Sequence, residues 1–156
     1  VALKTKYAGS CTEAAAIDAA IAVADSGGAK PAVSTAALFN QGIDALDAKK
    51  YAEADAAFGS VLAAKPDDWE AAYMRGQAQQ ALGNFAGAKT SFEAALRIQP
   101  GVVDAKGRLG LIEKKLGNTQ AAADLRTQLV QSQQRCGGTC SGAKQIDAAI
   151  AMMDAG

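Results

Sequence analysis

The chain contains no histidine, which removes the commonest general base, the usual zinc ligand and every nucleophile that depends on a neighbouring imidazole. A non-enzymatic role without metal or cofactor is therefore expected. Net charge is absent as well: 16 Lys and Arg balance 16 Asp and Glu, and neither sign gathers into a block. A nucleic acid or an anionic membrane would find no electrostatic footprint here. No apolar run approaches the roughly 20 residues of a bilayer-spanning helix. Aromatics make up only 5% of the chain although 49% of it is hydrophobic. Alanine carries that difference and favours closely packed helices over sheet, so an all-α class is expected.

Cysteine is scarce and confined to the ends, at Cys11, Cys136 and Cys140. An odd number in a secreted chain points to pairing between molecules or to one free thiol. The first residue is Val1 rather than Met, as cleavage of a secretory signal would leave it, and an extracellular or periplasmic location is the expectation. The segment CGGTC at 136–140 spaces its cysteines one residue wider than a redox C-x-x-C, and no histidine follows to attach haem. It reads as a structural disulfide or a linkage. Gly27, Gly28, Gly137 and Gly138 lack the Lys-Ser or Lys-Thr that would make a phosphate loop, and read as joints.

What the chain does have is a period. Gly42, Gly76 and Gly110 recur at one constant step, and Tyr51 with Phe85, Phe58 with Phe92, Pro66 with Pro100, and Ala54 with Ala88 and Ala122 all keep it. The columns have physical roles: small residues where two helices cross, large ones to fill the space between, and proline to stop a helix by withholding an amide. The best copy, WEAAYMRGQAQQALGNFAGAKTSFEAALRIQP, resembles the tetratricopeptide repeat family through Gly76, Phe85, Ala88, Phe92, Ala95 and Pro100. The resemblance implies a right-handed α-solenoid of three helix pairs at 35–68, 69–102 and 103–136, with the three glycines at equivalent crossings. The first copy has Lys49 and Lys50 where the second has Gly83 and Asn84. The third has Thr119, Arg126 and Gln134 in place of the aromatics and the proline.

The resemblance also implies a concave groove lined by the first helix of each pair, able to hold a protein or peptide segment. Its positions are Phe39, Asn40 and Ile43, then Tyr73, Met74, Gln77 and Gln80, then Arg108, Leu111, Lys114 and Lys115. Asn40 and Arg108 fall at offsets used by members that grip a C-terminal carboxylate. Gln77 and Gln80 stand where further cations would be wanted, so a carboxylate clamp is not expected.

Residues 1–34 and 137–156 flank the repeats, and a helix is expected in each, over about 12–25 and 142–155. Their sequences are related: CTEAAAIDAAIAVAD and CSGAKQIDAAIAMMD align Cys11 with Cys140, Ile17 with Ile146, Ile21 with Ile150 and Asp25 with Asp154. Both carry isoleucines four apart on one helical face. The two could be independent caps of the solenoid. Alternatively, they meet across subunits and build an open head-to-tail filament, linked between Cys11 and either Cys136 or Cys140 of the neighbour. Self-assembly and peptide binding by a monomeric adaptor thus stand as two readings of one fold.

Overall fold

The computed structural model describes residues 34–138 and 140–156. The helix expected over 12–25, with Cys11, Ile17 and Ile21, lies outside the described residues. The described chain forms seven helices: α1 Thr35–Asp47, α2 Tyr51–Ala64, α3 Trp69–Ala81, α4 Phe85–Ile98, α5 Val103–Lys115, α6 Thr119–Cys136 and α7 Ala143–Ala155, with no strand among the described residues. The first helices of the three pairs thus begin one repeat step apart, at Thr35, Trp69 and Val103, and the second helices do the same at Tyr51, Phe85 and Thr119.

Local sequence explains these limits. Ser34, Asp68 and Asn84 each accept a hydrogen bond from the backbone N–H three residues on, at 3.1, 3.1 and 3.0 Å, which satisfies one orphan amide at a helix start. Within each pair the chain turns through a residue with positive φ: Lys49 at 57°, Gly83 at 75° and Gly117 at 81°. The amides of the next residues, Lys50, Asn84 and Asn118, close back onto Ala45, Gln79 and Glu113 carbonyls at 2.8–2.9 Å. Lys49 shows that the turn geometry is imposed even where glycine is missing. Pro66 and Pro100 follow the ends of α2 and α4, each 14 residues long. The third copy has Gln134 instead, and α6 runs on to 18 residues before Gly137 stops it in the left-handed conformation.

Packing follows the small and large columns. A Cβ on Gly42 would lie 2.7 Å from the Phe58 ring, and one on Gly76 would lie 2.7 Å from the Phe92 ring. Both rings are fully buried. The third crossing is not equivalent, because the phenylalanine column reads Arg126 there. Its place is taken from outside the repeat: Met153 of α7 lies over Gly110, and a Cβ on that glycine would stand 2.6 Å from its Sδ. Gly107 occupies the column of Phe39 and Tyr73 and lets Ala149 approach, with a built Cβ 3.0 Å from Ala149 Cα. Two glycines three residues apart on α5 therefore form a smooth seat for α7, which packs on α5 and α6.

Candidate functional site

The first helices α1, α3 and α5 converge on a cavity of about 640 Å³. Ile43 and Leu46 of α1 and Met74 of α3 supply its apolar surface. Asp47, Gln77, Gln80 and Arg108 supply polar groups, and Tyr51 of α2 closes one side. Of the residues expected to face a ligand, Ile43, Met74, Gln77, Gln80 and Arg108 are brought together here. Their offsets repeat on successive first helices, so consecutive pairs present them side by side.

Arg108 is held by its neighbours. Its Nε donates to Asp104 Oδ2 at 2.7 Å and to the Tyr73 hydroxyl at 3.3 Å, and Nη1 donates to Gln80 Oε1 at 3.4 Å. The Tyr73 hydroxyl itself donates to Asp104 Oδ2. Burial and then the Asp104 hydrogen bond push the Tyr73 phenol above its ordinary value. Burial works against the Arg108 charge, but Asp104 and Tyr73 outweigh it and the guanidinium pKa rises. Arg108 is a fixed, charge-matched donor. Asp104, absent from the sequence-based set, is what matches it; its position four residues before Arg108 on one helix was the available signal.

Several expected groove residues serve elsewhere. Phe39 packs edge-on against Phe58 with ring centroids 5.5 Å apart, and Tyr73 lies 5.9 Å from Phe92, so both aromatics belong largely to the core. Asn40 is exposed and lines, with Phe39, Lys65 and Asp68, a separate cavity of about 270 Å³. Leu111 lies against Gly156 at the end of α7. Lys114 donates to the Met153 carbonyl at 2.9 Å, where a cation suits the C-terminal end of a helix. Lys115 is exposed. Leu111 and Lys114 of the third copy are thus engaged by the C-terminal end of α7 and the residue after it.

The assembly set is also rearranged. Cys136 and Cys140 form a disulfide with each other, their Cα atoms 5.4 Å apart. Neither is then a free thiol for Cys11, because the CGGTC turn already brings them within bonding range. Ile146 is only 5% exposed and Ile150 half-buried, both spent within the chain on the packing of α7 rather than left as an open stripe. Arg126 donates to both carboxylate oxygens of Asp154, at 2.6 and 2.9 Å, and Gln133 donates to Asp147 at 2.6 Å. The hydrogen bond from Arg126 is the chief cause that lowers the Asp154 carboxyl below its ordinary range.

Polar ties run both between pairs and within them. Asp55 of α2 accepts from Arg75 at 2.7 Å and Gln79 at 2.9 Å, and Ser91 donates to Gln79 Oε1 at 2.7 Å. One repeat step later, Lys89 donates to the buried Glu113 at 2.9 Å, and Asn118 donates to the same carboxylate at 2.6 Å. Donating to Glu113 holds the Lys89 ammonium above the usual lysine value. These columns carry no small-and-large pattern, so periodicity alone does not mark them.

Among the described residues, no group of His, Cys, Asp and Glu could hold a metal ion, and no helix is long and apolar enough to cross a membrane. The sequence model of the tetratricopeptide repeat matches residues 39–79 and 73–133. No curated protein matches the chain. Solved structures do. The TPR2B domain of yeast Sti1, determined in a complex with pHsp70, is 17% identical with a TM-score of 0.64, and the match covers 78% of this chain and 96% of that one. The Sgt2 TPR domain from Aspergillus fumigatus is 21% identical with a TM-score of 0.61, covering 78% of this chain and 77% of that one. At such identities the likeness is one of fold.

Proposed function

Since this chain belongs to the tetratricopeptide repeat family, we propose that it is a non-enzymatic interaction scaffold that holds an extended peptide against α1, α3 and α5. The observation that carries this reading is the cavity of about 640 Å³, with Ile43, Leu46 and Met74 beside the amides of Gln77 and Gln80. Apolar peptide side chains would enter beside Met74 while the glutamines bond the peptide backbone. Because Asp104 matches the charge of Arg108, the favoured ligand is a neutral segment rather than an anionic terminus. The Sti1 domain, of similar fold, was determined with pHsp70, which agrees with use of this fold for holding a protein partner. Screening the protein against a peptide array and titrating the best binder tests the reading. Met74→Asp should weaken that binder at least tenfold with helicity retained, and equal affinity would defeat the proposal.

A second reading, favoured by the related segments at 11–25 and 140–154, is self-assembly into an open head-to-tail filament outside the cytoplasm. An oxidising compartment would preserve the Cys136–Cys140 disulfide. Light scattering of the oxidised protein across a concentration series tests assembly, and a constant monomer mass at every concentration would sink it. Fractionation of the native host tests location: recovery of the protein only from cytosol, with free thiols, would refute secretion.

A further inference from the structure

The seat of α7 is contacted through six of its residues. Ile146, Ala149 and Met153 are buried, Ile150 packs against the cluster of Leu129, and Asp147 and Asp154 accept from Gln133 and Arg126. At the constant offset that aligns Cys11 with Cys140, the N-terminal segment reads Ile17, Ala20, Ala24, Ile21, Asp18 and Asp25 at these positions. Only Met153 is changed. Across 143–154 the other differences fall at Lys144, Gln145 and Met152, the first two of them exposed. Cys140 precedes Ile146 by the same interval that separates Cys11 from Ile17. The identities include the hydrogen-bonding carboxylates as well as the isoleucines, which alanine-rich composition alone would not require.

We infer that residues 12–25 of a second copy of this chain replace α7 on α5 and α6, with Cys11 taking over from Cys140 as the disulfide partner of Cys136. This rests on the self-assembly reading and specifies its joint. The donor is taken from another copy as the self-assembly reading requires, since joining the first segment of one chain to the last pair of the next is a heterologous contact that propagates. The covalent step is an exchange. The Cys11 thiolate attacks Cys136 Sγ, the Cys136–Cys140 bond breaks as the Cys11–Cys136 bond forms, and Cys140 departs as a thiolate. It takes up a proton in place of the one Cys11 released, and the number of disulfides is unchanged. Ala24 leaves the space over Gly110 that Met153 fills, so the chain's own α7 is the better plug and the intermolecular disulfide retains the weaker one.

The test uses full-length Cys140→Ser protein, prepared as nitrogen-15-labelled and unlabelled pools, mixed in a glutathione redox buffer. Non-reducing electrophoresis and mass spectrometry of disulfide-linked peptides are the readouts, with circular dichroism to verify folding of each variant. A ladder containing mixed-label Cys11–Cys136 peptides is expected. Adding Ala24→Met should increase the linked fraction several-fold, and Ile17→Asp with Ile21→Asp should abolish the ladder. A Cys11–Cys136 link found only within single chains, a variant that stays monomeric, or linkage indifferent to the Ile17 and Ile21 changes would each overturn the inference. Light scattering of the unmodified protein separates the two failures. Assembly without the Cys11–Cys136 link leaves the filament reading standing and removes this joint; a monomer throughout removes both.

Discussion

Met153 of the last helix fills the space above Gly110 that Phe58 and Phe92 fill above Gly42 and Gly76. The third pair lost its aromatic to Arg126, and α7 supplies both the missing bulk and, in Asp154, a partner for the arginine. The last pair and the last helix therefore complete one another. Its two glycine contacts differ in kind, since Met153 presents a flexible side-chain end to Gly110 whereas Ala149 presents backbone to Gly107.

Gly107→Ala is accordingly expected to loosen α7 more than Gly110→Ala. The methionine tip can shift, but the Ala149 backbone cannot move without lifting the helix, and overpacking of this kind costs about 1–3 kcal/mol. Hydrogen exchange over residues 143–155 should accelerate in Gly107→Ala and change much less in Gly110→Ala. The reverse order would contradict the seat described above.

Gly76→Leu should destabilise the whole stack by about 1–3 kcal/mol. The Phe92 ring 2.7 Å from a built Cβ is fully buried, so added bulk meets packed core rather than solvent. Urea denaturation followed by circular dichroism measures the effect, and an unchanged midpoint would mean that the crossing is looser than this geometry.

Ser91→Ala removes the donor that serves Gln79 Oε1 between α3 and α4. Gln79 is only 5% exposed, so an acceptor is left buried without its partner and a loss of about 1–3 kcal/mol is expected. Because Gln79 also donates to Asp55, Gln79→Leu is costly by itself, but Gln79→Leu with Ser91→Ala should lose less than the sum of the two single variants, a double-mutant comparison readable in the same denaturation assay.

Docking of α7 should weaken in acid. The Asp154 carboxyl has a lowered pKa in the folded chain, from its hydrogen bond with Arg126 and, less strongly, from the charge of Lys114. Its stabilising contribution is thus fully present above the unfolded value, ordinarily about 3.9, and is lost as pH falls through the lower folded value. Exchange rates over residues 143–155 should carry this pH dependence in the native chain, and Arg126→Gln should diminish it. An identical profile in both proteins would assign the acid response to another group.

Lys49→Gly should stabilise the first pair by up to about 1 kcal/mol, because a lysine with φ of 57° bears a steric cost that glycine avoids. The gain should be seen as a higher urea midpoint.

Much of this fold is legible in one dimension. A constant step of glycine, alanine, phenylalanine and proline implies helix pairs, because each residue type is tied to a local geometric demand: a close crossing, a filled gap, a stopped helix. Ile43, Met74, Gln77, Gln80 and Arg108, which line the cavity of about 640 Å³, likewise follow from the offset of a first helix. Polar ties such as Asp55 with Gln79, and Lys89 with Glu113, were invisible because the same columns exchange charged and neutral residues while preserving a hydrogen bond. Direction and burial of individual side chains depend on which neighbour arrives. Phe39 and Tyr73 turn into the core, Lys114 turns to the end of α7, and Cys136 finds Cys140 across a glycine turn.

The α7 seat divides the two kinds of information most clearly. Sequence alone established that Ile146 lies on an apolar helical face and that the face recurs at Ile17, since periodicity is a property of the chain. That Ile146 is buried, on a helix packed on α5 and α6 of its own chain, was decided in three dimensions, where Gly107 and Gly110 offered a surface close enough for Ala149 and Met153 to fill. An amphipathic stripe specifies that a helix must be covered. Which surface covers it depends on shape complementarity between residues far apart in the chain, and no local pattern contains that.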